Sequence, residues 1–258
     1  MKQALLIVSF GTASPQGRGD IAALETALAR EAAGIPVRRA YTSPTVRAKL
    51  AERGEAIPSL EQALEQLEQE GTHTVFIQPT HLLRGIEYDK ICACARLWAG
   101  RFGRLCLGLP LLAGSSDLRQ LAQILVQSLY PREETLVLMG HGSDHFADLV
   151  YPALQTALRL EGAERAYVGT VSGWPDLDLV LKQLESDAVR QVRLAPLMLT
   201  AGEHARSDMA GTGPDSWKSR MEGAGFQVDC VMRGLGALEG VRQLYCSHLK
   251  ELLQSDGL

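Results

Sequence analysis

The chain lacks any long apolar run, although it has 258 residues in which to place one. A membrane-spanning helix needs about 20 consecutive apolar residues. The opening "MKQALLIVSFGTA" has one lysine and a short apolar stretch, too brief for a span and without the small-residue cleavage site of a secretory signal. It reads as a first buried strand, and the chain is expected to work in the cytoplasm with no membrane partner. A basic block is missing too. The 26 Lys and Arg stand against 30 Asp and Glu, a formal net charge of −4, which argues against nucleic acid and anionic lipid as partners. Cysteine is sparse: Cys92, Cys94, Cys106, Cys230 and Cys246 are odd in number and irregular in spacing, so neither a disulfide framework nor a zinc ribbon is expected. They read as buried thiols in a reducing compartment.

Three catalytic templates are also absent. No G-x-x-x-x-G-K-[ST] occurs, so no nucleotide is expected. "SFGTASPQGRG" carries glycines at the wrong spacing for a dinucleotide fingerprint, and no G-x-S-x-G nucleophile elbow is present.

Apolar residues make up 46% and charged residues 22%, without low-complexity segments, which places the chain among folded globular proteins. Strand-length apolar runs alternate with helical patterns throughout. "ALLIVSF" precedes a helix expected to open at Asp20, with Ile21, Leu24 and Leu28 on one face. "VRRAY", "TVFIQP" and "RLCLGL" follow, separated by helical stretches marked by Leu60, Leu64 and Leu67, by residues 88–102, and by Leu118, Leu121, Leu125 and Leu129. The order then restarts with "TLVLMG", "RAYVGTV", "VRLAPLML" and "FQVDCVM".

Eight β/α units fit either a barrel or two doubly wound halves. Local self-similarity favours the second. Residues 79–87 read P-T-H-L-L-R-G-I-E and residues 196–204 read P-L-M-L-T-A-G-E-H. Each has Pro, then Gly six positions on, then a metal-competent side chain two further. "IVSFGT" likewise matches "LMGHGS", pairing Phe10 with His141 and Gly11 with Gly142. The fold expected is α/β: two similar doubly wound, Rossmann-like halves with parallel sheets, 1–130 and 131–258, the second including the last helix. A ligand would then lie at the C-terminal ends of strands, in a cleft between the halves.

His141, Glu87 and His204 all fall on strand-to-helix loops of this scheme. His141 sits between Gly140 and Gly142, which permit a tight turn and leave the imidazole unshielded. Such a strand-end histidine either hydrogen-bonds a backbone carbonyl or faces a reactant, and the residue pattern alone leaves both open. The same holds for His204 as a solvated helix-start residue and for Glu87 as an ordinary first-turn glutamate. Two histidines and a carboxylate suit a divalent first-row metal such as cobalt, nickel, iron or zinc. His145 reads as a supporting partner one helical turn beyond His141, or as a solvated residue. His81 is a candidate support for its loop, and His73 and His248 read as polar surface residues.

With "SFGT", "GIEYDK", "MGHGS", "PLMLTAGEHARSDM" and "DSWKSRM" assembled, the chain resembles the anaerobic cobalt chelatases of the sirohydrochlorin type, nearly end to end. The resemblance implies a class II chelatase fold, a tetrapyrrole as partner and ATP-independent insertion of Co2+, a lyase activity, on the way to cobalamin. Ni2+ and Fe2+ remain alternatives as the metal, and the possibility of a homo-oligomer stays open. It further implies His141 and His204 as metal ligands and catalytic residues, with Glu87 acting near the ring. Phe10, Gly11, Leu83, Gly142 and Ser172 are the implied substrate contacts, and Arg47, Arg84 and Arg206 are weaker candidates for its carboxylates.

One position departs from the family. Its third metal ligand is a glutamate in V-E-x-[YW]-P, and here that stretch reads Val171-Ser172-Gly173-Trp174-Pro175. Serine removes a charge and a hard oxygen ligand. Either water or Glu87 completes the shell and insertion persists, or the chain serves another tetrapyrrole task, such as binding or demetallating a finished complex.

Overall fold

The computed structural model describes residues 1–130 and 134–257. Along the chain run β1 (Gln3–Ser9), α1 (Pro15–Glu31), β2 (Val37–Tyr41), α2 (Pro44–Ala51), α3 (Leu60–Gln69), β3 (Thr74–Pro79), α4 (Ile86–Trp98), β4 (Arg104–Leu107) and α5 (Ser115–Leu129). There follow β5 (Thr135–Gly140), α6 (Val150–Leu160), β6 (Ala166–Thr170), α7 (Leu177–Ser186), β7 (Gln191–Pro196), α8 (Trp217–Gly223), β8 (Gln227–Cys230) and α9 (Glu239–Gln254). The expected α/β architecture is present as two four-stranded sheets, ordered β2-β1-β3-β4 and β6-β5-β7-β8, parallel throughout.

The central strands β3 and β5 are buried at every residue, and central β1 is buried from Ala4 onward, as a strand covered on both faces requires; the edge strand β6 is buried throughout as well. β2 and β8, at sheet edges, keep exposed positions. The helices bury one stripe each: α3 seats Leu60, Ala63, Leu64 and Leu67 and opens on a Ser59/Gln62 capping box. Helix α1 starts five residues ahead of the expected Asp20, because Pro15 is pre-organised for the first turn.

The two sheets repeat one another down to single hydrogen bonds. Thr42 N–H donates to the Ser9 carbonyl as Val171 N–H does to Gly140, and Ser43 donates to Phe10 as Ser172 does to His141. Val8 pairs with Pro79 as Met139 pairs with Pro196. Gly11 and Gly142 both adopt positive φ, +92° and +77°. The Phe10–His141 correspondence read from the sequence is therefore a structural one.

Two compact units result: Met1–Ala113 with Arg242–Leu258, and Gly114–Val241. The sequence-based division at 130/131 falls against residues 131–133, outside the described residues, and it assigns the last helix to the second half. The compact units assign most of α9 to the first. Tyr245 Oη reaches the carbonyls of Thr80 (2.8 Å) and His81 (3.1 Å), and Lys250 pairs with Glu31. His248, expected at the surface, is buried on this inner face.

Candidate active site

In an open α/β sheet the crevice forms where successive connections leave in opposite directions, beyond the strands' carboxyl ends. The order β6-β5-β7-β8 puts that point between β5 and β7. His141 is the first residue after β5, and His204 lies beyond β7, at the head of the helical turn that the connecting loop leads into. The structure brings these two together. Their ring centroids are 4.8 Å apart, with planes at 88°.

Each ring has one nitrogen already engaged. His141 Nδ1 lies 2.8 Å from the Gly142 carbonyl, and His204 Nδ1 lies 2.6 Å from Asp208 Oδ2. A carbonyl and a carboxylate can only accept, so in the neutral ring Nδ1 carries the hydrogen and Nε2 keeps its lone pair. The two readings of His141 left open by its sequence context thus coexist: it bonds a carbonyl, and it still presents a donor atom. Both side chains are exposed.

The loop carrying His141 is built rather than loose. Gly142 N–H donates to Tyr151 Oη at 3.3 Å, and burial pushes the Tyr151 hydroxyl up to about 12. A Cβ at Gly140 would lie 2.3 Å from the Tyr151 ring, so the strand end must be glycine. Buried Asp148 accepts from Ser143 N–H (2.5 Å) and Ser143 Oγ (3.0 Å). At Gly142, a Cβ would stand 2.6 Å from Thr170 Cβ and 2.8 Å from Gly173 N, at a φ that L-residues avoid. Gly142→Ala is therefore expected to destabilise the protein by about 2–4 kcal/mol, the sum of left-handed strain and overpacking, which thermal melting would measure.

Ser172 sits directly beside this loop, its N–H donating to the His141 carbonyl at 2.9 Å. Its neighbour Asp176 caps α7 by accepting from Leu179 N–H, and Asp178 pairs with Arg220. Neither takes the register of a third ligand. Among the described residues no group of three or more His, Cys, Asp or Glu is arranged to hold a metal ion. His145 is not one helical turn beyond His141. The chain runs as a loop to a 3-10 turn at Phe146–Leu149, where His145 Nδ1 accepts from Ala147 N–H.

The first unit carries the matching positions between β1 and β3. Phe10 is 47% exposed, an aromatic face where the second unit has an imidazole. A Cβ at Gly11 would meet the Tyr41 ring at 2.5 Å, and Leu83 bridges to Leu112. Glu87 lies in the first turn of α4, 2.5 Å from Lys90 Nζ. Desolvation pushes its carboxyl up, but hydrogen bonds from Lys90 and Thr42 and the charge of Lys90 outweigh that and hold it below the ordinary value. Thr42 also lies 3.5 Å from His81 Nε2. Arg47 turns its guanidinium to Gln62 on α3 (3.4 Å).

His81 keeps some exposed surface, but its Nδ1 is shut from solvent and has no hydrogen-bond partner. Burial pushes the imidazole down to about 4, against the opposing pull of Glu87. The unfolded chain binds this proton near the ordinary 6.5, so His81 makes stability fall as pH drops from about 6.5 to about 4, by roughly 3 kcal/mol. Urea unfolding across that window checks this: His81→Gln should flatten the slope.

The family model for cobalt chelatase (CbiK) matches residues 3–254. The chain belongs to the cobalt chelatase (CbiK) family. Among curated members, the sirohydrochlorin cobaltochelatase of Salmonella typhimurium is 38% identical over 257 residues, covering 98% of this chain and 97% of that protein. Sirohydrochlorin cobaltochelatase CbiKC of Nitratidesulfovibrio vulgaris is 34% identical, covering 96% and 89%. In fold, this CbiK-family chain is similar to SirB from Bacillus subtilis, solved with Fe3+ (TM-score 0.65, 16% identity, 98% of this chain and 96% of that one). It is also similar to CbiX of denitrifying bacteria (TM-score 0.56, 16% identity, 96% and 98%).

Proposed function

We propose that this protein is a cytoplasmic, ATP-independent lyase that inserts Co2+ into sirohydrochlorin, with both the ion and the tetrapyrrole as substrates. The observation that carries the reading is the His141–His204 pair, with both Nδ1 atoms engaged and an Nε2 lone pair left on each ring.

Insertion exchanges one divalent ion for two pyrrole protons. The two Nε2 atoms hold the incoming Co2+, water filling its remaining positions, and imidazole suits that ion. As ring nitrogens replace these ligands, the freed imidazoles become acceptors for the two departing protons, the work of a general base. On the first unit, taken by itself, Glu87 is held ionised by Lys90 and Thr42, and Phe10 is an exposed aromatic face. By the family resemblance Ser172 stands at the third ligand's position, so the protein itself supplies only two nitrogens and the ion is more readily given up.

The test is to mix the protein with sirohydrochlorin and Co2+ and follow the absorbance of the ring. Conversion faster than the spontaneous reaction is expected. Binding of the ring without acceleration would overturn the chelatase reading and favour the non-catalytic tetrapyrrole binder that Ser172 otherwise suggests.

A further inference from the structure

The segment after His204 is a single π-helical turn, Ala205–Met209, closed by Ala210 N–H donating to the Ala205 carbonyl at 3.1 Å. Such turns are rare and concentrate at functional sites. This one is anchored: Ala205 and Met209 are fully buried. It also demands glycine at its exit, because a Cβ on Gly211 would stand 2.3 Å from the Ser207 carbonyl oxygen. The turn sets Asp208 against His204, Oδ2 to Nδ1 at 2.6 Å, while Asp208 Oδ1 lies 3.3 Å from Ser207 Oγ. Ser207 Oγ donates to the Glu203 carbonyl at 2.8 Å, with Asp208 Oδ1 a longer second acceptor for the same hydrogen, and its own lone pairs remain able to accept.

We infer that Asp208 is a positioning residue that fixes His204 in the Nδ1–H tautomer, so that the free lone pair is on Nε2, the atom proposed to receive the metal. The inference rests on the chelatase reading for its purpose, but the tautomer itself does not. An imidazole left without an acceptor at Nδ1 is free to carry its hydrogen on Nε2, where no metal can then bind. Outer partners of this kind are worth roughly 10–100-fold in metal affinity or activity.

What Asp208 supplies is an acceptor atom, and its charge is secondary. The local geometry makes that separable. In Asp208→Asn the amide NH2 has a ready acceptor in Ser207 Oγ, which leaves the amide oxygen facing His204 Nδ1–H. In Asp208→Ala no acceptor remains.

The experiment has two arms on the full-length, metal-free chain and its variants, with circular dichroism to confirm folding. Imidazole 15N NMR at a pH where the ring is neutral reads the tautomer of His204. The expected result is Nδ1–H in the unmodified protein and in Asp208→Asn, and a shift towards Nε2–H in Asp208→Ala. Cobalt-insertion rates should follow: a loss of about 10–100-fold for Asp208→Ala, most of it recovered in Asp208→Asn. If Asp208→Ala keeps the Nδ1–H tautomer, the positioning role is overturned. If Asp208→Asn loses as much rate as Asp208→Ala while keeping the tautomer, charge and not positioning is the contribution, and the inference fails. An unmodified protein that holds the Nδ1–H form yet inserts no cobalt would overturn the functional reading and leave the tautomer assignment standing.

Discussion

His141→Ala is expected to lower the rate of cobalt insertion by roughly 10²–10⁴-fold, the range that a positioned proton acceptor contributes. The size of the loss follows from the double use of the ring. Removing it takes away one of the two nitrogen ligands proposed at the β5–β7 switch point, and with it one proposed acceptor for the pyrrole protons. His204 would then hold the ion alone. The structural alternative predicts something different. If His141 served only to bond the Gly142 carbonyl, its loss would remove one hydrogen bond at an exposed loop, about 1 kcal/mol of stability, with little change in rate. Initial rates followed by ring absorbance, alongside a thermal melt of the same variant, separate the two. A rate within a few fold of the unmodified protein, with a lowered melting temperature, would remove His141 from the mechanism.

How far the sequence discloses this site depends on the range of the interaction that builds each part. Central strands are legible because burial on both faces demands an unbroken apolar run, and β1, β3 and β5 show it. The duplication is legible because the same turn needs the same glycine: Gly11 and Gly142 both sit at positive φ, each crowded by a side chain from the neighbouring strand. That shared turn put Phe10 and His141 in register from residue pattern alone. Helical spacing failed at His145, since Gly142 at φ +77° breaks the turn that an i,i+4 argument assumes.

The supports of the His141 loop were not read from the sequence. Asp148 and Tyr151 reach it through the fold, from five and nine residues away along a chain that leaves and returns. A search for polar or aromatic residues at the start of the helix after a Gly-His-Gly strand end would have raised them. Asp208 stands four residues after His204, a spacing that equally suits an acid in the first turn of a helix. It takes the π-turn to show that the carboxylate faces back to the imidazole.

Ser172→Glu is expected to raise Co2+ affinity by about a hundredfold, because it adds a charged oxygen donor to a pair of neutral nitrogens, and even partners outside the ligand shell are worth 10–100-fold. The position is well placed for it. Ser172 is held to the His141 backbone at 2.9 Å, its side chain is exposed, and the segment is pinned by Thr170 N–H and Oγ, both donating to the Pro175 carbonyl at 2.7 and 3.0 Å. The effect on turnover has the opposite sign under saturating Co2+: an ion held by three ligands is surrendered to the ring less readily, so affinity rises while the maximal rate falls. Binding isotherms with Co2+ alone and insertion rates across Co2+ concentrations read the two quantities separately. Unchanged Co2+ affinity in a folded Ser172→Glu variant would show that this residue does not face the ion, and the two-histidine account of the site would have to be rebuilt around another loop.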